Sequence, residues 1–193
     1  MRDRPIFDAD EHTYTLGGAV LPSVTGIIRR VMQTSYGSAD EWHLARGRAV
    51  HACAEMIGRG VSFESDPQIR GRVAACRAWY AMRKPEVVDV ERMVWRVSPI
   101  PYAGTLDLLC RIRGELWIID WKSTASAWDK WQLGGYADAL AEDGIEVKKG
   151  LVVTLNDDGT PKEGAPVDLR RARNEWRSIL NVYQMTKREG LLK

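Results

Sequence analysis

Residues 104–122 read GTLDLLCRIRGELWIIDWK: two apolar runs either side of Arg113-Gly114, each interrupted by one aspartate. No other stretch restricts the fold as tightly. Continuous apolar runs bounded by a turn dipeptide read as the two strands of a hairpin buried on both faces. With a two-residue turn at Arg113-Gly114, Ile112 pairs with Glu115. Counting back pair by pair then brings Asp107 opposite Asp120, with Cβ atoms about 4.5–5.5 Å apart. Lys122 follows one pleat further along the same face. Strict alternation puts Leu106, Leu108, Trp117 and Ile119 on one face, and Leu109, Leu116 and Ile118 on the aspartates' face.

Like charges directly opposed weaken a sheet, and buried carboxylates must share a proton, bind a cation or find donors. Spacing alone leaves two readings open. One is a divalent-metal site, since Mg²⁺ is typically held by one or two carboxylates plus waters and substrate phosphate. The other is a structural Asp–Lys pair with the second aspartate solvated.

The remaining sequence frames this hairpin. A chain of 193 residues suits one domain, residues 1–193, with a single sizeable core. PIFDADEHTYTLGGAVLPSVTGII reads as a short hairpin turning at Gly17-Gly18, then a helix capped by Ser23 from about Val24. Ser38 and Glu41 form an S-x-x-E box opening a second helix that runs to Gly58. Asp66-Pro67 signals a third helix, to about Arg83, striped by Ile69, Val73, Cys76 and Tyr80. VVDVERMVWRV alternates as a strand before the hairpin. Ser126 and Asp129 open a further helix to about Gly144, residues 150–169 read as strand, turn, strand, and a last helix spans about 170–189. The expected fold is mixed α/β, a central mixed sheet with flanking helices.

Other features narrow the function. The net charge of +2 neither argues for nucleic acid nor forbids it. The charged start lacks an apolar signal region and no run is long enough to span a membrane, so the expectation is a cytoplasmic location with no membrane partner. Three scattered cysteines, Cys53, Cys76 and Cys110, read as free thiols and cannot build a four-cysteine iron–sulfur cluster.

Two helices offer candidates to complete a site. RGRAVHACAE places His51 and Glu55 one turn apart on one face, with Trp42, Ala49, Cys53 and Met56 as an apolar side. Gly47 there suggests close approach of another backbone. SAWDKWQLGGYADAL puts Trp128, Gln132 and Tyr136 on one face, and Gly134-Gly135 suggests a tight neighbour or ligand. A lone helical histidine is more often a satisfied residue than a ligand. An aromatic stripe is more often core.

In this order, Arg46-Gly47-x-x-x-His51, Gly104-x-x-Asp107, Asp120-x-Lys122 and Gln132-x-x-x-Tyr136 resemble the PD-(D/E)XK nuclease superfamily, in its RecB-like exonuclease branch. The PSVTGII stretch is similar to the entry motif of phage nucleases and of the mitochondrial genome-maintenance exonuclease. The resemblance implies a restriction-endonuclease-like core and a metal-dependent DNA exonuclease, of the kind used in phage recombination, replication or end processing. It implies Asp107 and Asp120 as carboxylate ligands, the Trp121 backbone carbonyl as a third oxygen, and His51 as a ligand from the helix. Lys122 would position or help deprotonate the attacking water and stabilise charge on the scissile phosphate. Gln132 and Tyr136 would hold substrate phosphate, and Ser23 and Thr25 could take another at a helix N-terminus. Glu91 is a further acidic candidate, and Glu55 a candidate for orienting His51.

The implied cofactor is Mg²⁺ or Mn²⁺, one or two ions. The implied partners are single- or double-stranded DNA with free ends and, in a phage or prophage setting, a single-strand annealing or binding protein. A structure-specific endonuclease on the same core and a catalytically silent DNA-binding module stand as alternatives. The arginines at 70, 72, 77 and 83 with Lys84, and at 170, 171, 173 and 177, read as solvated helix faces more readily than as a DNA track.

Overall fold

The computed structural model of the chain describes residues 3–9, 11–32 and 41–191. Among these the elements run β1 (Ile6–Asp8), β2 (Thr13–Leu16), β3 (Ala19–Leu21), α1 (Val24–Met32), α2 (Glu41–Gly58), α3 (Arg70–Arg83), β4 (Glu86–Arg96), β5 (Tyr102–Ile112) and β6 (Glu115–Lys122). There follow α4 (Asp129–Glu142), β7 (Lys149–Leu155), β8 (Pro161–Glu163), β9 (Val167–Asp168) and α5 (Leu169–Arg188). The fold is mixed α/β, as expected.

The hairpin turn sets the sheet. Arg113 has φ 52° and Gly114 φ 80°, the left-handed pair that matches the twist of a two-residue hairpin. The β5–β6 ladder accordingly runs from Ile112↔Glu115 to Leu108↔Ile119 in the expected register. β4 extends this into an antiparallel meander, and β7 lies parallel to β6, reached through the α4 crossover. β8 and β9 pair antiparallel with β7, completing a six-stranded sheet. β1–β3 form a separate antiparallel sheet turning at Gly17-Gly18, and a bridge from Ser23 to Ala103 ties its exit to β5.

Helices cover both faces of the large sheet. On one side α1, α4 and α5 pack Ile27, Leu133, Leu140 and Trp176 against Leu106, Leu109 and Ile118. On the other, α2 and α3 pack Val50, Val73, Cys76 and Trp79 against Leu108, Cys110, Ile119 and Trp121. β5 and β6 are therefore buried on both faces, and each fully buried Leu or Ile contributes about 1.5–3 kcal/mol. Gly134 and Gly135 are where α4 meets its neighbours: a Cβ at 134 would lie 2.4 Å from the Ala172 carbonyl oxygen, and one at 135 would lie 2.9 Å from Val24. That bears out the reading of this pair as a tight contact.

Several local expectations are corrected. Leu106 sits with Leu109, not with Leu108, so strict alternation breaks at Asp107. The strand opposite breaks its alternation at the same level: Glu91 on β4, between the pairs Val90↔Leu108 and Arg92↔Leu106, has φ 47°, and Val90 joins one core and Val94 the other. Helix α3 begins at Arg70, because the Asp66 side chain accepts from Gln68 N–H and closes a turn ahead of the helix. Asp129 accepts from the Ser126 N–H and hydroxyl, so the box holds the approach while α4 starts at Asp129. A Cβ at Gly47 would meet nothing within 4 Å, and Trp42 and Ala49 are exposed, so no backbone among the described residues closes on α2 there. Ser38 lies outside the described residues. No described helix is long and apolar enough to cross a membrane.

Candidate active site

The interior of β5 and β6 forces a solution for their aspartates. Asp120 is 1% exposed and Asp107 is 8% exposed, so each needs a partner. The ladder ends one pair short of them, at Leu108↔Ile119, and Asp107 Oδ2 instead accepts the Trp121 backbone N–H at 2.7 Å. Two networks meet at this point, one from each face of the sheet.

From the α2 side, His51 Nδ1 donates to Asp107 Oδ1 at 3.1 Å and lies 4.0 Å from Glu91 Oε1. One ligand atom each from His51, Glu91 and Asp107 falls within 4.8 Å of the others, a group that can hold a metal ion. Glu91, the third member, sits at the left-handed residue of β4. From the α4 side, Lys122 Nζ sits 2.7 Å from Asp120 Oδ2 and donates to Gln132 Oε1 at 3.0 Å. Gln132 Nε2 in turn reaches Asp120 Oδ1 at 3.1 Å and the Tyr136 hydroxyl at 2.8 Å. Tyr136 is seated by Gly104, where a Cβ would meet its ring at 2.7 Å.

The electrostatics follow from burial and these neighbours. The Asp107 carboxylate raises His51 to about 9, overcoming burial. Burial, then repulsion from Asp107, pushes Glu91 up to about 8. Burial acts upward on Asp107 too, but the His51 charge and hydrogen bond, Lys122 and the Trp121 N–H hold it below the usual carboxylate range. Burial lifts Asp120 to about 6, with Lys122 opposing and Asp107 adding. Lys122 is raised, because Asp120 and Asp107 outweigh its burial. Burial raises Tyr136 well above its ordinary value.

These observations fit a bound cation. Three carboxyl groups and one imidazole converge, burial raises the pKa of Glu91 and Asp120, and Asp120 Oδ2 is buried with an ion partner but without an aligned hydrogen-bond donor. The grouping differs from the expected set in one respect. Glu91 joins His51 and Asp107, whereas Asp120 is engaged by Lys122 and Gln132, one peptide from the Trp121 N–H that holds Asp107. Trp121 thus touches the site through its N–H.

The other candidates fall nearby. Ser23 caps α1 by accepting from Gly26 N–H at 3.0 Å, with Thr25 Oγ1 3.5 Å from its hydroxyl. Their neighbour Val24 packs at Gly104 beside Tyr136, but no hydrogen bond among the described residues joins Ser23 or Thr25 to the network. Glu55 pairs with Arg59 rather than with His51. Most of the helical arginines are neutralised internally: Arg83 by Glu163, Arg171 by Glu175, Arg173 by Glu146 and Arg177 by the fully buried Asp138.

One cluster was not legible in spacing at all. Arg72 holds both oxygens of Asp157, at 2.9 and 3.2 Å, and donates to Ser123 Oγ at 2.5 Å, while Arg46 also pairs with Asp157. Arg46 opens the motif that ends at His51 and Ser123 follows Lys122 directly, but neither spacing points to Arg72 or Asp157.

The sequence matches no protein-family model and no curated protein. Among solved structures the chain is similar to the crystal structure of SSO0001, at 14% identity over 81% of this chain and 75% of that one, with a TM-score of 0.40. A likeness that distant transfers no role to any side chain.

Proposed function

We propose that this chain is a metal-dependent nuclease with the restriction-endonuclease-like core of the PD-(D/E)XK superfamily, acting as an exonuclease on DNA ends. One observation carries the reading. His51, Glu91, Asp107, Asp120, Lys122, Gln132 and Tyr136 come from five separate elements and meet in one chain of charge and hydrogen bonds, with the Trp121 N–H as the link. A purely structural Asp–Lys pair needs neither His51 nor a left-handed residue at Glu91.

His51, Glu91 and Asp107 would hold Mg²⁺ or Mn²⁺, with Asp120 bordering the ion. An imidazole among the ligands makes Mn²⁺ a good substitute for Mg²⁺. When bound, such an ion supplies Lewis acidity toward a phosphoryl oxygen and lowers the pKa of water. The protein's own groups supply the rest. Lys122, kept as an ammonium by Asp120 and Asp107, offers positive charge where a phosphate under attack gains negative charge. Its fixed length and direction come from Asp120 and Gln132. Gln132 also holds the Tyr136 hydroxyl, and that hydroxyl stays neutral and can donate to a phosphate oxygen.

The test is degradation of 5′- and 3′-labelled linear DNA, single- and double-stranded, beside a covalently closed circle, with and without Mg²⁺ or Mn²⁺. Linear ends should be digested only with metal while the circle survives, and Asp120→Ala and Lys122→Ala should each lower the rate by roughly 10²–10⁴-fold. Metal-dependent cutting of the circle would replace the exonuclease by an endonuclease. No digestion of any end by the wild type would refute the nuclease reading.

A further inference from the structure

We propose that Arg46, Arg72 and Ser123 form an anion subsite for a phosphate of the substrate strand, and that the Asp157 carboxylate occupies it in the free protein. The inference rests on the nuclease reading for its ligand, a nucleic-acid phosphodiester, but its geometry stands apart from the metal group.

The two kinds of charge in this cluster are unequally fixed. The side chains of Arg46 and Arg72 are 18% and 14% exposed, whereas that of Asp157 is 57% exposed. Two largely desolvated guanidiniums therefore share one solvent-facing carboxylate, leaving a net positive charge. The donor inventory is in excess as well. Arg46 Nε is buried without a hydrogen-bond partner, and the Ser123 hydroxyl, reached by Arg72, adds a group that can donate to an oxyanion. Planar guanidinium forks facing one exposed acceptor pair are the arrangement that receives a carboxylate or a phosphate bidentately.

Asp157 is carried on the short turn between β7 and β8, closed by Gly159 N–H to the Asn156 carbonyl oxygen. The turn is seated by the absence of a side chain on α3: a Cβ at Gly71 would lie 1.8 Å from the Asp157 carbonyl oxygen. The same turn is exposed at Asp157 and Asp158, so a competing anion approaches from solvent. The position suits the proposed substrate. Arg46 precedes His51 on α2 by five residues, about 7.5 Å along the axis, and Ser123 is the next residue after Lys122. A phosphate bound there belongs to the strand whose scissile bond lies at Lys122, one or more nucleotides away.

The experiment uses the full chain without metal, so that binding is read apart from cleavage. Inorganic phosphate and pyrophosphate are titrated by calorimetry, a labelled single-stranded oligonucleotide by anisotropy across a salt series, into wild type, Asp157→Asn, Arg46→Gln and Arg72→Gln. Thermal unfolding checks that each variant folds. Removing the internal anion in Asp157→Asn should tighten pyrophosphate and oligonucleotide binding several-fold, and phosphate should raise its unfolding temperature more than that of the wild type. Each arginine variant should weaken oligonucleotide binding about tenfold and lower the salt slope by about one. Equal binding of every probe by wild type, Asp157→Asn and Arg72→Gln would overturn the subsite and leave an internal ion pair, whatever the cleavage assay shows. If the anions behave as predicted while no DNA is digested in Mg²⁺ or Mn²⁺, the subsite stands and the nuclease reading falls. A response to free phosphate with none to the oligonucleotide would overturn the assignment to a nucleic-acid strand.

Discussion

At the scale of single residues, the site is a set of charges that burial holds in unusual protonation states, and this sets a pH dependence. His51, Glu91 and Asp120 all have raised values, near 9, 8 and 6. The folded protein therefore keeps protons that the unfolded chain has released, and stability falls as pH rises through that range. Asp107 acts in the opposite sense, its stabilisation disappearing in acid. The metal-free protein should unfold at a progressively lower temperature between about pH 6 and 9. Saturating Mn²⁺ should flatten that decline, because the cation replaces the protons. Thermal melts across pH with chelator or Mn²⁺ check this, and identical slopes would argue against the metal centre. Asp107, Asp120 and Lys122 were legible from spacing, since buried carboxylates in apolar strands stand out. Glu91 stood in the sequence only as a further acidic candidate; it lies with His51 and Asp107 at a residue whose backbone is left-handed, and an alternating strand pattern gives no sign of that.

At the scale of elements, positions without side chains decide how close neighbours come. Gly134 costs α4 about 1 kcal/mol of helix propensity against alanine. An alanine there would nevertheless press its Cβ to 2.4 Å from the Ala172 carbonyl oxygen, and backbone cannot swing aside as a side-chain tip can. Overpacking should win. Gly134→Ala is expected to lose roughly 1–3 kcal/mol of unfolding free energy, measured by denaturant titration, and a gain in stability would show that α4 and α5 can slide apart. The helix sequence announced a tight contact here and also at Gly47, where none forms among the described residues. The two motifs look alike locally; only the packing of α5 against α4 distinguishes them.

At the scale of the whole molecule, the α4–α5 side of the sheet is tied by Asp138. This fully buried carboxylate accepts from Arg96 on β4 at 2.5 Å, Tyr102 on β5 at 3.0 Å and Arg177 on α5, whose Nη2 lies at 2.7 Å. Removing it leaves the buried Tyr102 hydroxyl and Arg96 each short of an acceptor, while Arg96 keeps Glu142 and Arg177 is half exposed, so Asp138→Ala should lose roughly 1–3 kcal/mol of stability. The loss should appear in calorimetric melts with Mn²⁺ binding retained in whatever fraction folds; a change below about 1 kcal/mol would mean the arginines reach water freely. The sequence by itself determined the order of elements, the mixed α/β class and the pairing of β5 with β6. Those depend on local chemistry: apolar periodicity, turn dipeptides and the left-handed tolerance of Gly114. The tertiary structure alone decided that Glu91 stands with His51 and Asp107, that Asp120 faces Lys122 and Gln132, and that Asp157 meets Arg46 and Arg72. Each of those meetings joins segments far apart in the chain, and burial, not sequence spacing, sets which charges must find one another.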